Sequence, residues 1–413
     1  MSEKFILLVT GIFLLISCHS SPTGTGDPVK IRLTPQEVEL IRSSNTFGLE
    51  LFQRQVAAEP DKDVFLSPFS VSMALGMTLN GARDATADSM REVLGFRDIS
   101  QGEINTIYRD LMETLSTRDK HVLFEIANSV WTRQGFPVLQ SFYEVNREYF
   151  DAETRSLDFS GQDAAGIING WIAEQTHGKI EKMIEHIDLD VIMYLINAIY
   201  FNGIWQTEFD PEDTKEAEFK PSAGESYSIP MMYKSDTMAY FAMDRFQAVE
   251  LPYGSGDFSM VVILPGEGVS LSSLVAELDS YHWENWMDRF EERPGKIYLP
   301  KFQLTYKAKL NSTLAAMGMG NAFTPGMADF SGISEETALY ISRVLHKTFL
   351  EVTEEGTEAA AVTVVEIRET SVGDNEDEIF MMRVDHPFLL AIRHRGTDTL
   401  LFVGKIGHPE WEG

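Results

Sequence analysis

Serine, histidine and acidic side chains, the usual parts of a hydrolytic or metal-binding centre, are plentiful in this 413-residue sequence, but their spacing fits neither chemistry. It contains no Gly-x-Ser-x-Gly turn, His-Glu-x-x-His pair, phosphate-binding loop or Gly-x-Gly-x-x-Gly after a strand. A Ser/His/Asp set could be assembled only by folding, and nothing singles one out. The scattered histidines form no metal-ligand pattern; they are His19, His121, His177, His186, His282, His346, His386, His394 and His408. We therefore predict no enzyme, no metal site and no cofactor.

One stretch, EEGTEAAAVTVVEIRETS from Glu354 to Ser371, begins like a helix and ends like a strand. Its alternate residues from Thr357 are small or apolar until Glu369, whereas the opposite set carries nearly all the charge. Such alternation is typical of a strand with one face meant for a core. Alanine and glutamate also suit a helix or an exposed loop. However, Thr, Val and Ile fill half of Thr357 to Thr370, which is a poor composition for a helix.

The beginning of the chain reads as a targeting signal. Lys4 precedes FILLVTGIFLLIS, which has the size of a signal-peptide core and is too short to span a bilayer comfortably. The run ends at Cys18, the only cysteine, in LISC, which looks like a bacterial lipobox. We predict a lipoprotein signal peptide over 1–17 and a lipidated tether over 18–34, with several acyl chains anchoring Cys18 in a membrane. The alternative is an ordinary secretory signal followed by a buried cysteine.

Charge excludes polyanionic partners. Lys and Arg number 34 against 63 Asp and Glu, for a net charge of −29, so nucleic acid, heparin and other anionic glycans would be repelled. The helix predicted at 101–117 likewise lacks a basic stripe. With 44% hydrophobic and 11% aromatic residues and no repeat or long linker, the sequence predicts one large α+β unit over 35–413, acting as a monomer.

Hydrophobic periodicity predicts the elements of this unit. The expected helices are Pro35–Ala58, 71–82 (apolar on all sides), Ala85–Leu94, Gln101–Ser116, Val138–Tyr149 and Ala164–Thr176. The expected strands are Phe124–Thr132, Ile192–Phe201, Met238–Leu251, Ser259–Leu264, Ile297–Tyr306, Phe349–Val352, Phe388–Arg393 and Thr399–Lys405.

Several segments, taken in order from about Ser44 to Pro409, together resemble the serpins. They are FLSPFSVSMALGMTLNGARDATADSMREVLGF, INGWIAEQTHGKIEKMI, YLINAIYFNGIWQTEFDPEDT, ELPYGSGDFSMVVILP, IYLPKFQLTYKAKL, ADFSGI, LHKTFLEVTEEGTEAAAV and DHPFLLAIRHRGTDTLLFVGKI. The resemblance implies an α+β fold of about nine helices around three β-sheets. It also implies an exposed reactive-centre loop over about 354–386.

The resemblance also implies roles for particular residues. A polar cluster beneath the main sheet, sheet A, would let strands part and reclose, although the same residues could be unconnected polar groups. Trp205 would lie where the loop enters the sheet, with a plain core aromatic as the alternative. Lys301 and Glu354 would form an exposed ion pair worth at most about 1 kcal/mol. The cluster is Ser67, Ser70, Asn197 and His346, and the hinge is Glu354, Glu355, Gly356, Thr357, Glu358, Ala359, Ala360 and Ala361.

What the resemblance implies is suicide inhibition of serine or cysteine proteases. The loop is cleaved as a substrate, and the freed arm enters sheet A with the protease still attached as an ester. Counting from Gly356, whose backbone freedom suits a hinge, places the cleaved bond at Thr370–Ser371, which suits elastase-like proteases. A shifted register would offer Glu369 to acid-specific enzymes or Arg368 to trypsin-like ones.

Two features leave alternatives open. The acidic stretch 373–378 lengthens the loop beyond the usual family pattern, and Glu369 on the inward face would slow or shorten insertion. A non-inhibitory serpin, acting as a binding or chaperone-like envelope lipoprotein, would carry bulky, charged or proline residues at the inward hinge positions, where this sequence has Thr357, Ala359 and Ala361. An envelope hydrolase or solute-binding lipoprotein has no motif in its favour. We expect the bacterial cell envelope, on either side of the outer membrane, or secretion.

Overall fold

The computed structural model describes residues 31–188, 191–336, 338–357 and 379–412. Some of the predictions therefore lie outside the described residues. They concern the signal peptide and Cys18, the hinge residues Glu358, Ala359, Ala360 and Ala361, and the cleavage positions Arg368, Glu369, Thr370 and Ser371.

All six helices predicted from the sequence are present. The first begins at a capping box, in which the Thr34 side chain accepts from the Glu37 amide and the Glu37 carboxylate accepts from the Thr34 amide. Two further helices, α7 and α8, and one short turn of helix, α9, were not predicted. The helices are α1 (Pro35–Ala58), α2 (Pro68–Leu79), α3 (Asp84–Leu94), α4 (Gln101–Thr117), α5 (Gln140–Phe150), α6 (Ala164–Gln175), α7 (Leu271–Glu277), α8 (Ser280–Met287) and α9 (Asn311–Leu314).

Six strands form sheet A, in the spatial order β10-β11-β12-β4-β2-β3. Its two longest strands, β2 and β4, pair antiparallel along their whole length. Its shortest, β12, has two residues and lies between β11 and β4. The strands are β2 (Val122–Arg133), β3 (Glu153–Leu157), β4 (Met193–Ile204), β10 (Phe302–Lys309), β11 (Leu345–Val352) and β12 (Gly356–Thr357).

The other nine strands form one continuous sheet rather than the two further sheets that we expected. The long strand β6 changes partners along its length, pairing with β5 near its start and with β7 near its end, and so joins both parts. The predicted α+β class itself is confirmed. The strands are β1 (Val64–Leu66), β5 (Lys215–Phe219), β6 (Tyr227–Ala242), β7 (Phe246–Tyr253), β8 (Phe258–Pro265), β9 (Glu291–Pro300), β13 (Phe380–Arg383), β14 (Phe388–His394) and β15 (Thr399–Ile406).

Two strand predictions were wrong in the same way. We predicted a single strand over Met238–Leu251, but this range contains the end of β6 and most of β7. The turn between them is closed by the Met243 amide, which donates to the Phe246 carbonyl. Ile297–Tyr306 runs from β9 in the nine-stranded sheet into β10 in sheet A, with the change at Lys301. The alternation of apolar residues continues through the turn and through the change of sheet. A pattern of period two therefore could not reveal where either strand ends.

The core lies between the two sheets, with α2 at its centre. This helix packs against β4 on one side and β15 on the other, and every residue of it except Ala74 is buried. The predicted burial of this segment on all sides is confirmed. A second, smaller cluster includes Trp131, Ile168 and Trp171, where α6 covers the opposite face of sheet A.

Candidate functional site

The described part of the hinge, residues 354–357, turns back along β11 and pairs within sheet A. The Thr353 amide donates to the Gly356 carbonyl over 2.8 Å, which closes a tight turn after β11. Thr357 then pairs with Val352 of β11 on one side and with Gly203 of β4 on the other. The first residues of the expected loop are therefore buried rather than exposed: Thr357 is 3% exposed and Glu354 7%.

Beyond Thr357, β4 and β11 are not paired with each other. Among the described residues, β4 pairs only with β2 and β12, and β11 only with β10 and β12. We call this gap between β4 and β11 the slot. It contains a cavity of about 20 Å³ beside Thr357 and a larger one of about 320 Å³ bounded by β4, β11 and α2. Both strands thus turn a backbone edge towards the slot.

Gly356 lies so close to β4 that this position has no room for a side chain. A Cβ atom at this position would lie 2.1 Å from the Gly203 carbonyl oxygen and 2.8 Å from the Ile204 Cα atom. Gly356 does not have a positive φ, so the backbone freedom that we expected is not the reason for glycine here. Any side chain would push β12 away from β4.

Thr357 is anchored by Tyr253 beneath the sheet. The Thr357 and Tyr253 hydroxyl oxygens lie 2.5 Å apart, and the Tyr253 ring stacks on Trp205 at 4.4 Å. Burial raises the pKa of Tyr253, although the hydrogen bond with Thr357 opposes this. The phenol therefore stays protonated and keeps its hydrogen-bonding capacity.

Trp205 lies where the chain enters sheet A, and it holds the turn between β11 and β12. Its indole Nε1 donates to the Thr353 carbonyl over 2.9 Å, and its backbone amide donates to the Glu355 carbonyl over 2.9 Å. The side chain is 3% exposed. The residue that we expected near the loop entrance therefore has a defined polar role as well as a place in the core.

The Lys301–Glu354 pair forms, but our description of it as exposed was wrong. Lys301 Nζ lies 2.7 Å from Glu354 Oε2, and the two side chains are 22% and 9% exposed. The Thr214 hydroxyl donates to the other carboxylate oxygen over 2.8 Å. Burial raises the pKa of Glu354, but hydrogen bonds from Lys301 and Thr214 outweigh it and leave the pKa below its usual value. The Phe209 amide also donates to the Glu354 carbonyl over 2.9 Å, so the segment that carries Phe209 and Thr214 lies against Glu354.

The expected polar cluster meets at the first turn of α2, below the slot. Ser67 caps α2 by accepting from the Ser70 amide over 3.3 Å, and its own amide donates to His346 Nε2 over 3.1 Å. Ser70 donates to the Asn197 side-chain carbonyl. The first turn of α2 thus connects to β4 through Asn197 and to β11 through His346.

The protonation of His346 follows from its place in this cluster. Burial lowers the pKa of His346 to about 4, so the imidazole is neutral near pH 7 and its Nε2 atom acts as an acceptor. On the β4 side, the Asn197 side chain also donates to Asn128 over 2.7 Å, and Asn128 donates to the Phe150 carbonyl over 2.7 Å. Asn128 was missed from the sequence; the only signal was an amide in the middle of a buried strand.

The described residues include neither a candidate metal site nor a helix suited to a bilayer. No group of three His, Cys, Asp or Glu side chains in that part of the chain is placed to hold a metal ion. No helix within the described ranges has both the length and the apolar character needed to cross a bilayer.

Comparison with known proteins gives consistent matches. A family model described as Serpin (serine protease inhibitor) matches residues 42–409. Iripin-2 from Ixodes ricinus is 36% identical over 378 residues, which cover 90% of this chain and 94% of Iripin-2. Tengpin, a thermophilic serpin in its native state, has a TM-score of 0.83 and 30% identity, covering 93% of this chain and 97% of its own. Human thyroxine-binding globulin complexed with thyroxine has a TM-score of 0.83 and 29% identity, covering 91% and 100%.

Proposed function

The chain belongs to the serpin family, whose members typically inhibit proteases, and from this premise we propose that it is a suicide-substrate inhibitor of serine endopeptidases, and of cysteine endopeptidases by the same acyl chemistry. The loop after Thr357 is cleaved as a substrate, and the freed arm fills the slot while still joined to the protease, through an ester to a serine or a thioester to a cysteine. One observation carries this proposal: β12 already lies between β11 and β4, and below it no described residue fills the strand position between them.

The register of β12 supports the proposal. Gly356 is opposite Ile204 and Thr357 is opposite Gly203, so each later residue in the slot would move one position back along β4. Residue 363 would then be level with Asn197 on β4 and, by the pairing of Thr357 with Val352, with His346 on β11. Thr363 would bring its hydroxyl to the polar cluster, whereas the alanines at 359 and 361 would lie between the cluster and Thr357.

The same register gives the extent of insertion. Residue 364 would be level with Leu345, the first residue of β11, and residue 367 with Met193, the first residue of β4. Residues 358–364 would therefore have a strand on both sides, and 365–367 would lie beside β4 alone. Each new hydrogen bond would contribute on the order of 1 kcal/mol net. The arm from Thr357 to Thr370 would span roughly 46 Å at about 3.3 Å per residue, and the protease would be dragged across the molecule. Distortion of its oxyanion hole would then prevent deacylation.

This extent also answers the difficulty posed by Glu369. Residue 369 would be level with Val191, beyond the first residue of β4, so its carboxylate would not enter the paired part of the slot. Cleavage at Thr370–Ser371 is then compatible with complete filling of the slot. The register alternatives remain cleavage after Arg368 or Glu369.

The test is to incubate the protein with elastase-like, trypsin-like and glutamyl-specific proteases and to separate the products on denaturing gels. We expect a complex that survives boiling with at least one of them, and mass analysis of the released C-terminal peptide gives the cleaved bond. If every protease only nicks the loop, the proposal fails and the non-inhibitory binding function takes its place.

We also propose that the protein is attached to the bacterial cell envelope through acylated Cys18. The support for this is the apolar run ending in LISC at the only cysteine, followed by a polar tether. The inhibitor would then act on proteases that reach the envelope.

A further inference from the structure

The segment 407–412 lies beside the hinge although it is far from it in sequence. The Gln303 amide at the start of β10 donates to the Glu410 carbonyl over 2.8 Å, and the two residues form a β-bridge. The Tyr227 hydroxyl donates to the Pro409 carbonyl over 2.8 Å. These two contacts hold the backbone just before the position from which Trp411 extends.

Trp411 covers the lysine of the hinge ion pair. Lys301 Nζ lies 4.5 Å from the centroid of the Trp411 ring and 2.7 Å from Glu354 Oε2. The Lys301 amide donates to the Pro230 carbonyl over 2.8 Å, which fixes the backbone from which this side chain extends. The ammonium group therefore contacts an aromatic face as well as a carboxylate.

The aromatic contact matters because a lysine side chain is flexible. The Lys301 side chain has a long, freely rotating stem and loses much rotamer freedom when it reaches a single partner. A tryptophan face attracts the ammonium group and restricts it to fewer positions. The pair with Glu354 then forms at a smaller entropic cost, and Glu354 lies at the turn that places Thr357 in sheet A.

We propose that Trp411 is a positioning residue for the hinge: through Lys301 it holds Glu354 in place and so keeps Thr357 between β4 and β11. The contact itself is independent of protease inhibition. Its consequence, that Trp411 sets how efficiently the loop inserts after cleavage, rests on the proposed function.

The experiment is hydrogen exchange of the full-length protein, followed on a peptide that contains residues 353–357. When closing is fast, the exchange rate reports the population of the opened hinge. For Trp411→Ala we expect exchange of this peptide to be about two- to fivefold faster, the range for loss of one cation–π contact. Trp411→Phe should retain much of the protection, whereas Trp411→Leu, which is apolar but lacks the aromatic face, should behave like alanine. Glu412→Ala, an exposed neighbour, is the matched control and should not differ from the wild type.

A second arm separates positioning from simple packing. In a Lys301→Met background, which keeps the length but removes the charge, Trp411→Ala should cause no further acceleration. Equal acceleration in both backgrounds would overturn the proposal, as would wild-type exchange in Trp411→Ala. If Trp411→Ala does not fold, Trp411→Phe is compared with Trp411→Leu instead. Equal protection of residues 353–357 from exchange in these two variants would overturn the proposal.

Protease trapping is measured in parallel so that the two proposals can fail separately. Faster hinge exchange in a protein that traps no protease upholds the role of Trp411 and rejects the inhibitory function. Normal trapping of protease, together with a wild-type exchange rate in Trp411→Ala, supports the inhibitory function and rejects the role of Trp411. In an inhibitory protein, Trp411→Ala should raise the number of inhibitor molecules cleaved without trapping, per protease trapped, by a similar factor of about two to five.

Discussion

Under the proposed inhibitory function, replacement of Thr357 by arginine should convert the protein from an inhibitor into a substrate. Thr357 is 3% exposed, its hydroxyl lies 2.5 Å from that of Tyr253, and the neighbouring cavity of about 20 Å³ is far too small for a guanidinium group. An arginine at this position could not enter the sheet without leaving a lone cation among buried groups, so β12 should leave the sheet. The loop would still be offered to the protease and cleaved.

The magnitude follows from the contacts that are lost. Leaving the Tyr253 hydroxyl without its Thr357 hydrogen bond costs about 1–3 kcal/mol, and an unpaired buried cation costs about 3–5 kcal/mol. The total cost of insertion is therefore at least about 4 kcal/mol. If half of this is felt in the rate-limiting step, insertion slows by about 30-fold, and deacylation gains time to release the protease.

The assay is the ratio of boiling-resistant complex to cleaved inhibitor on denaturing gels, over a series of inhibitor-to-protease ratios. Thr357→Val is the matched control because it keeps the branched shape and loses only the hydroxyl. Its cost of about 1–3 kcal/mol, from the unpaired Tyr253 hydroxyl, should reduce trapping much less than arginine does. Trapping by Thr357→Arg at the wild-type stoichiometry would refute the insertion mechanism. Equal loss in the valine variant would show that the hydroxyl, and not the charge, is responsible.

Three further perturbations test other parts of the molecule. Gly356→Ala should displace β12 and make hydrogen exchange at residues 353–357 faster, because the new Cβ atom would lie 2.1 Å from the Gly203 carbonyl oxygen. Its control is Gly102→Ala in α4, which has no neighbour within 4 Å and should stabilise the fold by about 0.5–1 kcal/mol in urea unfolding. Burial lowers the pKa of His346 from 6.5 to about 4, so between these two values the unfolded chain binds a proton that the folded chain does not. The unfolding free energy should therefore fall by about 1.4 kcal/mol per pH unit as the pH drops through that window, and His346→Gln should remove this part of the slope in urea titrations. Cys18→Ala should release the protein from membranes on cell fractionation; unaltered membrane association would exclude the lipid anchor.

The sequence predicted the helices well, because apolar periodicity and capping residues are local. It also singled out the region around Gly356 and Thr357, where alternation and small side chains reflect a strand position. The burial of the Lys301–Glu354 pair was not predictable, since the side chains in contact with it, Thr214 and Trp411, lie far from the hinge in sequence.

The switch of the chain between sheets at Lys301 was missed for a related reason. β9 and β10 are each half-buried, so the alternation of apolar residues looks the same on both sides of the change. Asn128 was overlooked because its importance depends on a partner, Asn197, on the neighbouring strand. Local pattern thus indicates the elements, while their partners depend on contacts between distant parts of the chain.

The slot has a consequence for how the polypeptide reaches its folded form. β4 and β11 flank the slot, yet residues 205–344 separate them in sequence, whereas the residues that would fill the gap follow β11 directly. Closing a short hairpin onto β11 is much faster than bringing two distant strands together. If the cleaved arm fills the slot as proposed, the form in which the slot is unfilled would depend on the order of events during folding, and its persistence would be kinetic. Slow refolding from denaturant should yield a different mixture of forms from that made during synthesis.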